Sequence, residues 1–216
     1  MAYLYHLDDQ ITNLKGIGEA SAEKLSKLKI FTIRDLLHLI PTRYLDFSQK
    51  LKITELQEGS TACFLGTTHT IKSFFTKTGK QITETSVSDD TGKITLLWFH
   101  NPYIKKILQE NTEYTIAGKV SKFNNKLVLV SPTVEEGNSL SLNTKGLVPI
   151  FPQTKGITSK WLRQKVYDLL ANIKLQEPLN EKILNHQNLP DIQTAYAKIH
   201  FPQNKLEKKI ADKRLS

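Results

Sequence analysis

Three aromatic rings, Trp98, Phe99 and Tyr103, fall within six residues in the stretch Thr95-Leu96-Leu97-Trp98-Phe99-His100-Asn101-Pro102-Tyr103. An unpaired nucleic-acid base needs a flat face to stack on and cations for its phosphates. The three rings are candidate stacking platforms, and His100 and Asn101 between them are candidate polar contacts. The stretch begins with strand character and runs into a proline-containing turn, so the rings leave a rigid element at its end. Neighbours on a strand point to opposite faces. One of Trp98 and Phe99 must therefore leave the interior, or be covered by something else.

Bond-making chemistry has no comparable signal. The run Thr76-Lys77-Thr78-Gly79-Lys80 lacks the leading glycine and the following helix of a phosphate-binding loop. Six histidines are scattered without metal-ligand spacing. Asp89-Asp90 reads as a turn rather than a separated acid pair. The single cysteine, Cys63, reads as a buried structural thiol and excludes an internal disulfide. The expectation is a chain with no catalytic residue, no metal and no cofactor of its own.

Net charge is +9, and nucleic acid is the commonest reason for such an excess, because lysines on phosphates release counterions. A lysine-rich solvated surface is the plain alternative. Lysine greatly outnumbers arginine, which favours point-charge contacts with phosphates over two-pronged reading of base edges. No stretch approaches the roughly 20 apolar residues of a membrane span. The N-terminus lacks the charged and apolar regions of a secretory signal. The expected setting is cytoplasmic, with no membrane partner.

The elements that must position the rings follow from patterning. Strand character covers 61–75, 81–88 and 93–99, a short helix fits 102–109, and strands return at 114–120 and 127–130. Asp89-Asp90-Thr91-Gly92 and Phe123-Asn124-Asn125-Lys126 are tight turns. The order β-β-β-α-β-β is that of the OB fold, a five-stranded barrel that binds oligonucleotides across strands 2–3 and the loops after strands 1 and 4. Those loops carry Phe74, Phe75, Lys77 and Lys80, then Lys122, Phe123 and Lys126. Solvated turns are the bland alternative.

Helical segments flank the barrel. Leu14-Lys15-Gly16-Ile17-Gly18 has the look of a helix-hairpin-helix turn. Its glycines allow positive φ and close backbone approach, and the next helix start favours an anion, so Lys15, Gly16 and Gly18 are candidate phosphate contacts. Such hairpins also serve as packing elements alone. Thr32 caps a helix carrying Ile33, Leu36, Leu37 and Ile40, which Pro41 ends. Thr158 caps another whose Leu162, Val166, Leu169, Leu170 and Ile173 share a face, and helices follow around 179–184 and 192–199. The expected class is α+β, an OB-fold β-barrel between N-terminal and C-terminal helical segments. Its parts are 1–48 (helical), 49–135 (barrel), 136–204 (linker and helices) and 205–216 (a charged helix).

Taken together, Leu14-Lys15-Gly16-Ile17-Gly18, Asp35-Leu36-Leu37-His38-Leu39-Ile40-Pro41-Thr42-Arg43-Tyr44, Trp98-Phe99-His100-Asn101-Pro102-Tyr103, Val148-Pro149-Ile150-Phe151-Pro152 with Gly156-Ile157-Thr158, and Ile199-His200-Phe201-Pro202 resemble, in order, the wedge region of the RecG family of bacterial ATP-dependent DNA helicases. The resemblance implies a barrel placed at a DNA branch point, splitting two arms while a motor pulls duplex. It implies that an aromatic at the end of the third strand and another four residues later stack on fork bases. Here those are Phe99 and Tyr103, leaving Trp98 as the core ring. The family often has an amide where His100 stands. The resemblance further implies branched DNA (stalled forks, Holliday junctions) as ligand, motor domains in cis that use ATP and Mg²⁺ and begin near 205–216, and single-strand DNA-binding protein as a further partner. A free-standing OB-fold single-strand-binding module and a protein-docking scaffold are the other readings.

Overall fold

Short helices with one apolar stripe cannot bury it alone. The computed structural model, which describes residues 5–76, 79–101, 103–136 and 142–216, brings the two ends of the chain together to do so. In chain order the elements are α1 (Glu19–Ser26), α2 (Ile33–Leu37), β1 (Arg43–Phe47), β2 (Thr61–Phe75), β3 (Gln81–Ser88), β4 (Lys93–Phe99), α3 (Ile104–Ile107), β5 (Glu113–Phe123), β6 (Lys126–Val130), β7 (Thr133–Glu136), β8 (Gly146–Ile150), α4 (Ser159–Leu170), α5 (Glu181–Gln187), α6 (Ile192–His200) and α7 (Lys205–Leu215). They form two compact units, 1–46 joined with 146–216, and 47–145.

The first unit merges segments that the sequence divides into N-terminal and C-terminal parts. Leu25, Ile33, Leu36 and Leu37 from the N-terminal helices share one core with Phe151, Leu162, Val166 and Leu169. Thr32 caps α2 in a reciprocal box with Asp35, and the Thr158 hydroxyl accepts the Trp161 N–H at 3.2 Å to start α4. Two short runs that patterning did not assign as strands, Arg43–Phe47 and Gly146–Ile150, pair with each other as β1 and β8. The charged helix α7 packs by Ala211, and its Arg214 pairs with Glu177 at 2.7 Å.

His200 is buried in this core between Phe151 and Tyr196. Its Nε2–H donates to the Leu37 carbonyl at 2.8 Å, while Nδ1 has no hydrogen-bond partner among the described residues. Burial pulls the imidazole down to about 4.

The second unit is the barrel. Its strand order is β2-β3-β4-β6-β5-β7, and β2 also pairs with β5, which closes the first five of these into the OB topology, with β7 added on β5. Phe64, Leu96, Trp98, Ile116, Val120 and Leu129 fill the interior. The β3–β4 turn is locked by Asp89, whose carboxylate accepts N–H groups of Ile53, Thr91 and Gly92 and the Thr91 hydroxyl. Burial pushes this carboxyl up, yet those hydrogen bonds outweigh it and bring it down to about 2. Asn124 and Asn125 both take the left-handed conformation that a two-residue hairpin turn requires. Among the described residues, no helix is long and apolar enough to cross a membrane.

Candidate nucleic-acid interface

Strand register sorts the rings. Thr83 pairs with Trp98, Thr85 with Leu96 and Val87 with Ile94, and these residues face the barrel interior. Trp98 is only 3% exposed, and its indole N–H donates to the Pro132 carbonyl at 3.1 Å. It cannot stack on a base, which removes it from the three candidate rings. Ile82 pairs with Phe99, and Glu84 with Leu97, on the opposite, outer face. Phe99 is half-buried there, against Ile82, Leu97 and Val128.

The same register continues outward in both directions. Phe74 on β2 pairs with Ile82, so Phe74, Ile82 and Phe99 form one row across three strands. Thr95 pairs with Val128, and Lys126 with Phe123, which places Phe123 and Lys126 on this outer face too. Lys72, two residues before Phe74, shares the face by strand alternation. A strip of aromatic and basic side chains thus crosses the sheet. Among the candidates, Phe75 pairs with Gln81 and Lys122 with Leu127, which turns both to the other face. Lys122 also approaches Glu58 at 3.8 Å. Lys80 is exposed in the β2–β3 turn, and Lys77 lies outside the described residues.

After β4 the chain must reverse into α3 within a few residues. His100 does this with a left-handed backbone, φ 53°, while its N–H donates to the Gln81 carbonyl at 3.0 Å. Asparagine and histidine are among the few non-glycine residues enriched in that conformation, a physical reason for an amide or imidazole at this position. The half-buried Asn101 accepts the Ile104 N–H at its carbonyl. Tyr103 then caps the start of α3, 68% exposed, with the Lys106 ammonium 5.9 Å from its ring centre. Ile104 and Leu108 turn inward, whereas Ile107, one turn after Tyr103, is exposed. Apolar character alone marks Ile107 as core; its spacing from Tyr103 was the signal that both share the outer side of α3.

In the other unit, Gly16 has φ 77°, and the Lys165 ammonium, 2.7 Å from where a Cβ would stand, donates to the Lys15 carbonyl at 2.7 Å. That ammonium also lies 5.8 Å from the Trp161 ring. Gly18 is in ordinary extended backbone, φ −96°, with open space around it, so it has no need of glycine's freedom. Leu14 and Ile17 of the hairpin are buried in the core of this unit, and Lys165 supplies a cation beside it that motif spacing did not reveal.

A family model for the RecG wedge domain matches residues 10–173. The chain belongs to the RecG wedge-domain family. The ATP-dependent DNA helicase RecG of Synechocystis sp. is 31% identical over 209 residues, covering 88% of this chain and 25% of the relative. That of Bacillus subtilis is 28% identical over 214 residues, covering 97% of this chain and 30% of the relative. A solved structure of RecG bound to a three-way DNA junction matches all of this chain and 30% of that one, with TM-score 0.90 and 25% identity. This RecG wedge chain thus spans 25–30% of the length of the relatives it matches.

Proposed function

We propose that this chain binds branched DNA, such as stalled forks and Holliday junctions, and separates strands at the branch point for a RecG-type helicase. In that role it serves fork regression and branch migration during repair and recombination. One observation carries the reading: adjacent rings are split by strand parity, with Trp98 locked inside and Phe99 presented on a lysine-bearing face, followed by the exposed Tyr103.

Phe99 and Tyr103 take the unpaired bases, and Lys72, Lys80, Lys106 and Lys126 meet phosphates. The magnitudes set the division of labour. A ring on a base is worth about 1–3 kcal/mol, and a base-pair step costs about 1.4 kcal/mol. Two rings therefore hold a fork open but do not drive it. Unwinding needs ATP and Mg²⁺ in motor domains in cis, and no residue of this chain is assigned to them. The hairpin at Lys15, Gly16 and Gly18, with Lys165, supplies further phosphate contacts. Single-strand DNA-binding protein is a further partner of this reading, because both would meet on the exposed strand. A DNA ligand and one buried thiol fit a cytoplasmic setting.

Titrating the chain against a three-way junction, a fork and a duplex of equal length at fixed salt tests the proposal. Tighter binding to the branched forms supports it, and equal affinity for all three defeats it. Tight binding to unbranched single strands without junction preference would favour a free-standing single-strand-binding module.

A further inference from the structure

We propose that Phe74 is a second stacking platform for the same displaced strand whose base rests on Phe99, and that the more exposed Phe75 beside it is not. The inference rests on the branch-binding reading above. The row Phe74, Ile82, Phe99 crosses β2, β3 and β4 in register on the outer face. Ile82 is only 6% exposed between its two neighbours, while Phe74 keeps 43% of its surface open at the end of the row. A phenylalanine that exposed gains little from folding, so its value lies in what it meets.

Hydrogen bonds tie together β2 and β3, two of the strands that carry this row. The β2–β3 turn is closed by the Thr76 N–H to the Lys80 carbonyl at 2.9 Å, the Lys80 N–H to the Thr76 hydroxyl at 3.0 Å and the Gly79 N–H to the Thr76 carbonyl at 2.9 Å. On the reverse face, the Ser73 and Thr83 hydroxyls bond to each other at 2.9 Å. Lys72 stands one step along the strand from Phe74 on the same face, where the phosphate of a nucleotide stacked on Phe74 would pass. Phe75 is 71% exposed, but it projects from the reverse face with Gln81.

Spacing sets the length of strand required. Two interstrand gaps separate Phe74 from Phe99 by about 10 Å. Stacked nucleotides advance about 3.4 Å each, so about two to three nucleotides bridge the rings. The occupant is single-stranded DNA of any sequence, because every base offers a π-face.

The experiment titrates the chain and its variants against forks that carry, at the branch, either no unpaired nucleotides or about four on one arm. Phe74→Ala should weaken binding to the gapped fork about 5- to 150-fold and to the fully paired fork by less than about twofold. Phe75→Ala should leave both unchanged. Phe74→Leu keeps the apolar contact with Ile82 but loses the flat face, so it should behave as Phe74→Ala even if the alanine variant is poorly folded. Phe74→Trp should restore binding. Equal effects of Phe74→Leu on both forks, no effect on either, or a loss with Phe75→Ala matching that with Phe74→Ala would each overturn the inference. If Phe99→Leu also binds every fork as the parent does, the branch-binding reading itself falls. If Phe99→Leu weakens binding and Phe74→Leu does not, only the second platform falls.

Discussion

Two neighbouring residues, Trp98 and Phe99, should fail in opposite ways. Trp98→Ala removes a ring that is 3% exposed from the barrel interior. Truncating a buried aromatic costs about 3–5 kcal/mol. The Pro132 carbonyl also loses its indole donor, which adds about 1–3 kcal/mol. Each kcal/mol moves the melting point of a unit this size by about 4–8 °C, so the barrel should melt at least roughly 15 °C lower. Phe99→Leu keeps most of the contact with Ile82, Leu97 and Val128 and should cost less than about 1.5 kcal/mol. It removes the stacking face, worth about 1–3 kcal/mol, or about 5- to 150-fold in affinity for a three-way junction. Thermal melting and anisotropy titration of a labelled junction, at one salt concentration, separate the two effects. Normal junction binding by Phe99→Leu, with a binding loss and unchanged melting for Trp98→Ala, would show that the faces are reversed and refute the argument from strand parity.

Tyr103→Ala should weaken junction binding about 5- to 150-fold and shift stability by no more than about 0.5 kcal/mol, because the ring is largely exposed and its partner is the Lys106 ammonium; titration and melting of one sample check both. His200 binds its proton less readily in the folded chain, at about 4, than in the unfolded chain, at 6.5. Its contribution is therefore complete above pH 6.5 and lost as pH falls through 4, a change of about 3 kcal/mol; urea unfolding across this range should show that slope, flattened in His200→Phe. Gly66→Ala would place a Cβ 2.3 Å from Val87 Cγ1 and 3.3 Å from the Ser88 carbonyl, so overpacking should cost about 1–3 kcal/mol in the same unfolding assay.

Local chemistry made much of this molecule legible. β2, β3 and β4 follow β-branched and aromatic runs between turn residues, and nearest-neighbour preferences act within such runs. Thr32 and Thr158 start helices because their hydroxyls satisfy amides three residues on, which the sequence displays directly. The cluster around Trp98 was visible as a place where rings leave a strand.

Other features depended on partners far along the chain. Apolar residues occupy both parities at Leu96, Leu97, Trp98 and Phe99, so alternation did not say which face is interior; pairing with Thr83, Thr85 and Val87 on β3 decided it. The same parity separated Phe74 from Phe75 and Phe123 from Lys122. The joining of β1 to β8 rests on contacts such as the Thr42 N–H to the Ile150 carbonyl at 2.9 Å, across 108 residues of chain. A sequence by itself determines which segments prefer to be strands and helices and which residues carry rings and charge. Tertiary structure decides which side of each strand is buried, because burial is a property of the partner on the next strand.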